Sequence, residues 1–311
     1  MPVFDQGYRR FEGTLRPRHA LGALVWTAVR PRLRWWLWLL AAILSFYPGL
    51  VYAAITFITL AVGPDAFGGR NRLPEASGAF VAFSDNGDPS QLVAELLAPT
   101  TAGIVARLWR ISEQCALAGF VLPAVACAGV IATDRATGAH QIYFARPVTR
   151  MRYLLSRIAA VTVFCSVATV LPPLLVWLET AALHDDPWFA AQTWSAPFAI
   201  ALSGAVYAYF VSGVVLALSS TLRRPLVVGL ATIFSYLFLQ VVSAMIVHGL
   251  EDKRWRALDP QYALGGITAP LYGVALPDWL QTPWPWLVGL VVPTLLLAYV
   301  WSRLRAVEVA T

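Results

Sequence analysis

Charge is the first thing this chain has little of. Only 13% of its 311 residues are Asp, Glu, Lys or Arg, where a soluble domain carries about 25%. With 58% apolar residues, it holds more apolar surface than a water-soluble fold of this length can hide. Lysine is nearly absent: Lys253, in Gly-Leu-Glu-Asp-Lys-Arg, stands alone and follows an aspartate. A phosphate-binding Walker A loop needs Gly-Lys-Ser/Thr, so the chain hydrolyses no ATP by that route and is not expected to be an enzyme by itself. Gly-x-Ser occurs nowhere, which removes the serine-nucleophile elbow. His19, His140, His184 and His248 are far apart and form no His-Glu-x-x-His zinc motif. Cys115, Cys127 and Cys165 lie in apolar runs, without metal-ligand or disulfide spacing. No metal or directly bound cofactor is expected.

What is there instead is a set of long apolar runs. Six stretches are apolar all round: Trp35–Val62, Cys115–Thr133, Ile158–Leu178, Trp194–Thr221, Leu226–Val247 and Trp284–Trp301. A bilayer core about 30 Å thick takes about 20 apolar residues per helix, and backbone groups in lipid must be paired internally, which favours helices. A lipid-facing barrel would alternate apolar and polar positions. The expected fold is therefore an all-α polytopic membrane protein with about six spans: a segment 1–34, a transmembrane domain 35–303 and a tail 304–311. Pro48 predicts a kink or tilt in the first run.

Most of the 23 Lys and Arg residues fall on one side of this layout. Arg9, Arg10, Arg16, Arg18, Arg30, Arg32 and Arg34 precede the first run; Arg135, Arg146, Arg150, Arg152 and Arg157 separate the second from the third; Arg223, Arg224, Arg303 and Arg305 complete the set. The positive-inside bias predicts that both termini lie in the cytoplasm, and the expected location is a bacterial inner membrane. The net charge of +6 is thus read as orientation and lipid contact, not as a nucleic-acid surface. Segment 1–34 is too polar for a cleaved signal peptide. Trp177, Trp188, Trp194, Trp279, Trp284 and Trp286 gather at the expected outer boundary, as an interfacial belt does.

Two outer loops, 63–112 and 249–283, are long and contain apolar residues suited to lying along the membrane or dipping into it. Ser90 is a candidate cap for a short helix through Leu92, Val93, Leu96 and Leu97. No charge is expected at mid-depth; Glu113, Glu179 and His248 read as interfacial residues reaching water. Near the start, Leu21, Leu24, Val25 and Ala28 recur at helical spacing between flanking arginines, the pattern of an amphipathic interfacial helix. Gly204, Ala205, Ala208, Ser212 and Gly213 give the fourth run a small-residue face, for packing within one subunit or along a dimer seam.

The segment Thr133–Arg157 is the most informative. Asp134 or Thr137 can cap a short helix from about Gly138 to Ala145, Pro147 ends it, and Thr149 can cap the helix that leads into the third run. A short helix held across the membrane exit by two spans is a lever on which a partner can pull.

Asp134-Arg135-Ala136-Thr137-Gly138, then Ala145-Arg146-Pro147-Val148-Thr149-Arg150 and Tyr153-Leu154-Leu155, resembles the signature of type-2 ABC transporter permeases. Ser156-Arg157 stands where Gly-Lys is usual, which keeps the charge and loses the small residue. The close match spans about 25 residues, and the layout extends a weaker resemblance to the whole chain. The resemblance implies the membrane subunit of an ABC exporter that pairs with a second permease subunit and two ATPase subunits. ATP and Mg would be held by those partners. Asp134, Arg135, Thr137, Gly138, Arg146, Pro147, Thr149 and Arg150 would form or brace the ATPase contact. The competing readings are a motor-independent transporter or channel, and a membrane anchor or assembly protein. No residue is assigned to a substrate.

Overall fold

The computed structural model describes residues 20–32, 46–61, 101–137, 149–184, 189–276 and 279–305, with Trp36, Leu39 and Ile43. Among them there is no strand. Among the described residues, five helical runs are long and apolar enough to cross a membrane: Gly103–Ala136, Arg150–Thr169, Ala196–Thr221, Pro225–Leu250 and Trp284–Leu304. Leu171–Leu183 is a shorter apolar helix. The architecture is that of an all-α protein compatible with several membrane crossings. The first expected span contributes helix α2, Tyr47–Ala61. Pro48 stands in its first turn, where a missing N–H is no loss. Of the rest of that run only Trp36, Leu39, Ile43 and Phe46 are described, and the helix expected after Ser90 lies outside the described residues.

The second span starts well before the expected Cys115. Helices α3 (Thr101–Gln114), α4 (Ala116–Cys127) and α5 (Gly129–Ala136) follow one another with single-residue breaks at Cys115 and Ala128. Backbone bonds from Cys115 N to Ile111 O (2.9 Å) and from Gly119 N to Cys115 O (2.8 Å) carry the ladder across the first break. The last part of the expected outer loop 63–112 is thus a buried extension of the span.

The third span is two helices. α6 (Arg150–Thr169) begins on Thr149, whose hydroxyl accepts from Arg152 N at 3.3 Å, the cap expected from the sequence. α7 (Leu171–Leu183) follows Val170 and opens on Pro172 and Pro173, which bring no N–H to the junction. After the short α8 (Phe189–Gln192) comes α9 (Ala196–Thr221), then α10 (Pro225–Leu250). A 3-10 turn, Lys253–Leu258, leads to α11 (Pro260–Thr268) and a second 3-10 turn, Ala269–Tyr272. Ala263, Leu264, Ile267 and Ala269 there are fully or nearly fully buried. This stretch of the expected outer loop 249–283 therefore tucks into the bundle against α3, α9 and α10. The last span joins α12 (Trp284–Trp286), a π-helical turn Leu287–Val291 and α13 (Val292–Arg305). The π turn ends two residues before Pro293, whose absent N–H disturbs the regular ladder.

Helix α9 is the axis of the bundle, packing on α13, α6, α4 and α10. Its small-residue face is used within the chain: a Cβ on Gly204 would collide with Val170 Cγ2, and one on Gly213 would stand 2.8 Å from Pro293 Cβ and 2.9 Å from Pro293 Cα. Because the latter neighbour is backbone, α9 and α13 can approach this closely only with glycine there. Gly213→Val is expected to force them apart and to lower the melting temperature in detergent by several degrees, whereas Ala205→Val, at an exposed position of the same helix, should change it little. Phe120 ties three spans together, with ring centroids 5.6 Å from Phe210 and 4.4 Å from Tyr236.

Helix α1 (Ala20–Val29) packs on α6. Leu24, Ala28 and Val29 are buried, Val25 is half-buried and Trp26 is exposed, so one face of the helix packs on the bundle; the side chain of Leu21 lies outside the described residues.

Candidate functional site

One end of the bundle carries the residues singled out by the motif. Asp134, in the last turn of α5, accepts from Arg157 Nη2 at 2.5 Å and from Tyr153 Oη at 2.8 Å. The Arg157 guanidinium lies over the Tyr153 ring, 4.6 Å from its centroid. Arg157 and Tyr153 share one face of α6 because they are four residues apart. The second and third spans are thus tied at the point where the intervening segment leaves them. A charged pair with an additional hydroxyl donor is a stronger tie than an exposed ion pair.

The fourth span joins this clamp. Ser219 Oγ donates to Ala128 O at 2.8 Å and accepts from Ile131 N at 3.1 Å and Ala132 N at 3.0 Å. It therefore serves the backbone groups at the break between α4 and α5. Arg135 Nη1 donates to Ser220 O. Thr137 closes α5, its hydroxyl donating to Thr133 O at 2.9 Å.

Of the expected coupling residues, Asp134, Arg135, Thr137, Thr149 and Arg150 therefore stand at one end of the bundle. Gly138, Arg146 and Pro147 lie outside the described residues. Sequence reasoning passed over Tyr153, Arg157, Ser219 and Ser220 as site residues. The usable signal was the Ser156-Arg157 pair itself, since the basic residue retained there is the one that meets Asp134.

The opposite end holds a buried polar network. Arg107 is 1% exposed and Glu113 2%, which corrects the expectation that Glu113 reaches water. Arg110 Nη1 lies 3.3 Å from Glu113 Oε2, and its guanidinium sits 4.8 Å from the Trp109 ring centroid. Ser112 Oγ on α3 and Ser203 Oγ on α9 converge on Tyr272 Oη, at 3.1 and 3.0 Å. Gln240 Nε2 on α10 donates to Tyr236 Oη at 3.2 Å and to Gln261 Oε1 at 3.3 Å. Gln114 Nε2 donates to Tyr52 Oη at 3.3 Å, bringing in α2. The tucked segment Pro260–Tyr272 is thus held by polar contacts to three spans.

Asp259 caps α11 by accepting from Gln261 N at 2.8 Å. Burial pushes its carboxyl up to about 6 from an ordinary 3.8, although hydrogen bonds from Gln261 and Gln240 and the nearby Arg256 pull the other way. The folded protein thus binds this proton more tightly than the unfolded chain does, so stability contributed by the group falls as pH rises from about 4 to about 6. Asp259→Asn, which keeps a good cap, is expected to flatten the pH dependence of the melting temperature in that window.

Among the described residues, no group of three or more His, Cys, Asp or Glu side chains is placed to hold a metal ion. No protein-family model matches the chain, and none of the curated proteins matches it.

Proposed function

We propose that the chain is the membrane permease subunit of an ABC-type exporter, moving its substrate across a bacterial inner membrane on ATP hydrolysed by separate ATPase subunits. The observation that carries this reading is the clamp at the Asp134 end. The segment between the second and third spans is rooted in Thr137 and Thr149, and the Asp134–Arg157–Tyr153 contact joins the two spans at those roots. A push on that segment would move both helices together, and α9 with them through Ser219 and Arg135. That is the mechanical property a passive membrane subunit needs to take up a motor's closure.

In this reading the Asp134 end and both termini face the cytoplasm, α1 lies at the inner interface, and two permease subunits, identical or not, pair with two ATPase subunits. Nucleotide and Mg belong to those partners, and the permease itself performs no catalysis.

The test is co-purification in mild detergent from native membranes, combined with impermeant labelling of a cysteine placed at Thr149. The reading expects a bound ATPase whose turnover changes with the permease present, and protection of position 149 in intact cells. Labelling of position 149 from outside would overturn it.

A second reading draws on the network at the other end. Arg107, Arg110 and Glu113, buried within a span, are the kind of groups that mark ion paths in membrane proteins, and they favour a motor-independent transporter. Substrate flux into vesicles holding the permease alone, without nucleotide, would select that reading.

A further inference from the structure

Helix α10 carries a stripe whose character changes halfway along its length. Ser243, Ala244, Val247 and His248 stand three, four, seven and eight residues after Gln240, so they share one face, and Glu251 follows as the C-cap of the helix. Together with Lys253, Arg256, Asp259 and Tyr262 they line a cleft of about 650 Å³ at the Asp259 end of the bundle. This size lies within the range of small-molecule sites.

Arg256 is held in place, its guanidinium 5.4 Å from the Tyr262 ring centroid and 5.9 Å from that of Trp279. Asp259 is fixed by its cap bond to Gln261 N. The cleft therefore brings basic His248, Lys253 and Arg256 together with acidic Glu251 and Asp259. A ligand of one sign would be attracted by one set of these groups and repelled by the other. A ligand bearing a phosphate and an ammonium a few bonds apart satisfies both sets.

Toward the middle of the helix the same face becomes apolar and uncovered. Leu237, Leu230 and Leu226 continue it at turn spacing and are exposed, flanked by exposed Phe234 and Phe238. From Gln240 to Leu226 the helix rises about 21 Å, which is more than half the thickness of the hydrocarbon core. A polar cleft at one end and an apolar track leading from it into the bilayer match an amphiphile standing upright in one leaflet.

We propose that this cleft and track bind a zwitterionic glycerophospholipid, on the orientation given above a lipid of the outer leaflet. Lys253 and Arg256 face its phosphate, Glu251 and Asp259 its ammonium, and the Leu237–Leu226 stripe its acyl chain. The site does not depend on the chain being driven by a motor, and the following experiment reads it without one.

The delipidated protein is titrated with dioleoylphosphatidylethanolamine and followed by native mass spectrometry. One saturable lipid per chain is expected, with affinity about tenfold weaker in the Glu251→Gln/Lys253→Gln double variant. Both residues lie outside the buried core, so the variant should fold, and an unchanged melting temperature verifies it. A photoactivatable acyl chain on the same lipid should label the peptide containing Leu230 and Leu237. Unchanged affinity in the double variant would overturn the proposal. So would equal binding of dioleoylphosphatidylglycerol, which would reveal simple attraction to basic groups. Full competition by free phosphoethanolamine would show that the ligand needs no tail and comes from solution. Quantitative disulfide dimers of a Leu237→Cys variant, unaffected by lipid, would assign the face to a second copy of the chain.

Discussion

Asp134→Ala is expected to be among the most damaging single substitutions in this protein, lowering its stability by about 3 kcal/mol. The carboxylate is the acceptor for both Arg157 and Tyr153. Arg157 is 3% exposed, so Asp134→Ala takes this carboxylate away from a guanidinium in a place from which water is largely excluded. Breaking a buried pair costs far more than replacing both of its members. The double variant Asp134→Leu/Arg157→Met should therefore melt higher in detergent than Asp134→Ala alone. Asp134→Asn, which still accepts hydrogen bonds, should fall between the wild type and Asp134→Ala. A double variant no more stable than the single would show that the pair is not what holds the two spans together. In the permease reading, Asp134→Ala also uncouples the linking segment from the third span. ATP-dependent transport should then be lost at temperatures where the variant remains folded.

Glu113→Ala is the second. Arg110 is largely buried beside it, and this ion pair sits in the network that holds the tucked segment against the spans. The expected loss is again about 3 kcal/mol. The cause differs in a testable way: the contacts near Glu113 involve α11 and Gln261, so hydrogen exchange should rise first across Pro260–Tyr272 and not across Arg150–Thr169. Glu113→Leu/Arg110→Met should recover part of the loss. Exchange that rises uniformly along the chain would mean the pair supports the whole bundle and not that segment.

The two ends of the molecule differed in how readily their residues could be read. Thr149 was readable as a cap because a cap is a local matter: a hydroxyl, an extended residue and the N–H three positions on. Asp134 and Arg135 were readable through a motif contained in a few turns of chain. The partners of these residues were not. Ser219 reaches Ile131 and Ala132 from another span, and only the rotation of α9 about its axis places its hydroxyl there. The network around Glu113 was misread for a related reason. Arg107, Arg110 and Glu113 look like the polar end of a loop when only local hydropathy is considered, yet all three are buried, in a helix on which the tucked segment Pro260–Tyr272 packs. For Gly204 and Gly213 the alternatives were a dimer seam or packing within the chain, and the collisions with Val170 and Pro293 decide for the latter.

By itself the sequence determined that this protein is a bundle of apolar helices, where most of those helices run and that the residues around Thr149 begin one of them. These properties depend on neighbours within a few turns and on an apolar solvent that leaves the backbone no alternative to internal hydrogen bonds. Only the tertiary structure decided which charges are buried, which glycines are contact points and which face of α10 is left uncovered. Those depend on how each helix is rotated and what lies beside it, and hydropathy along a chain is blind to both.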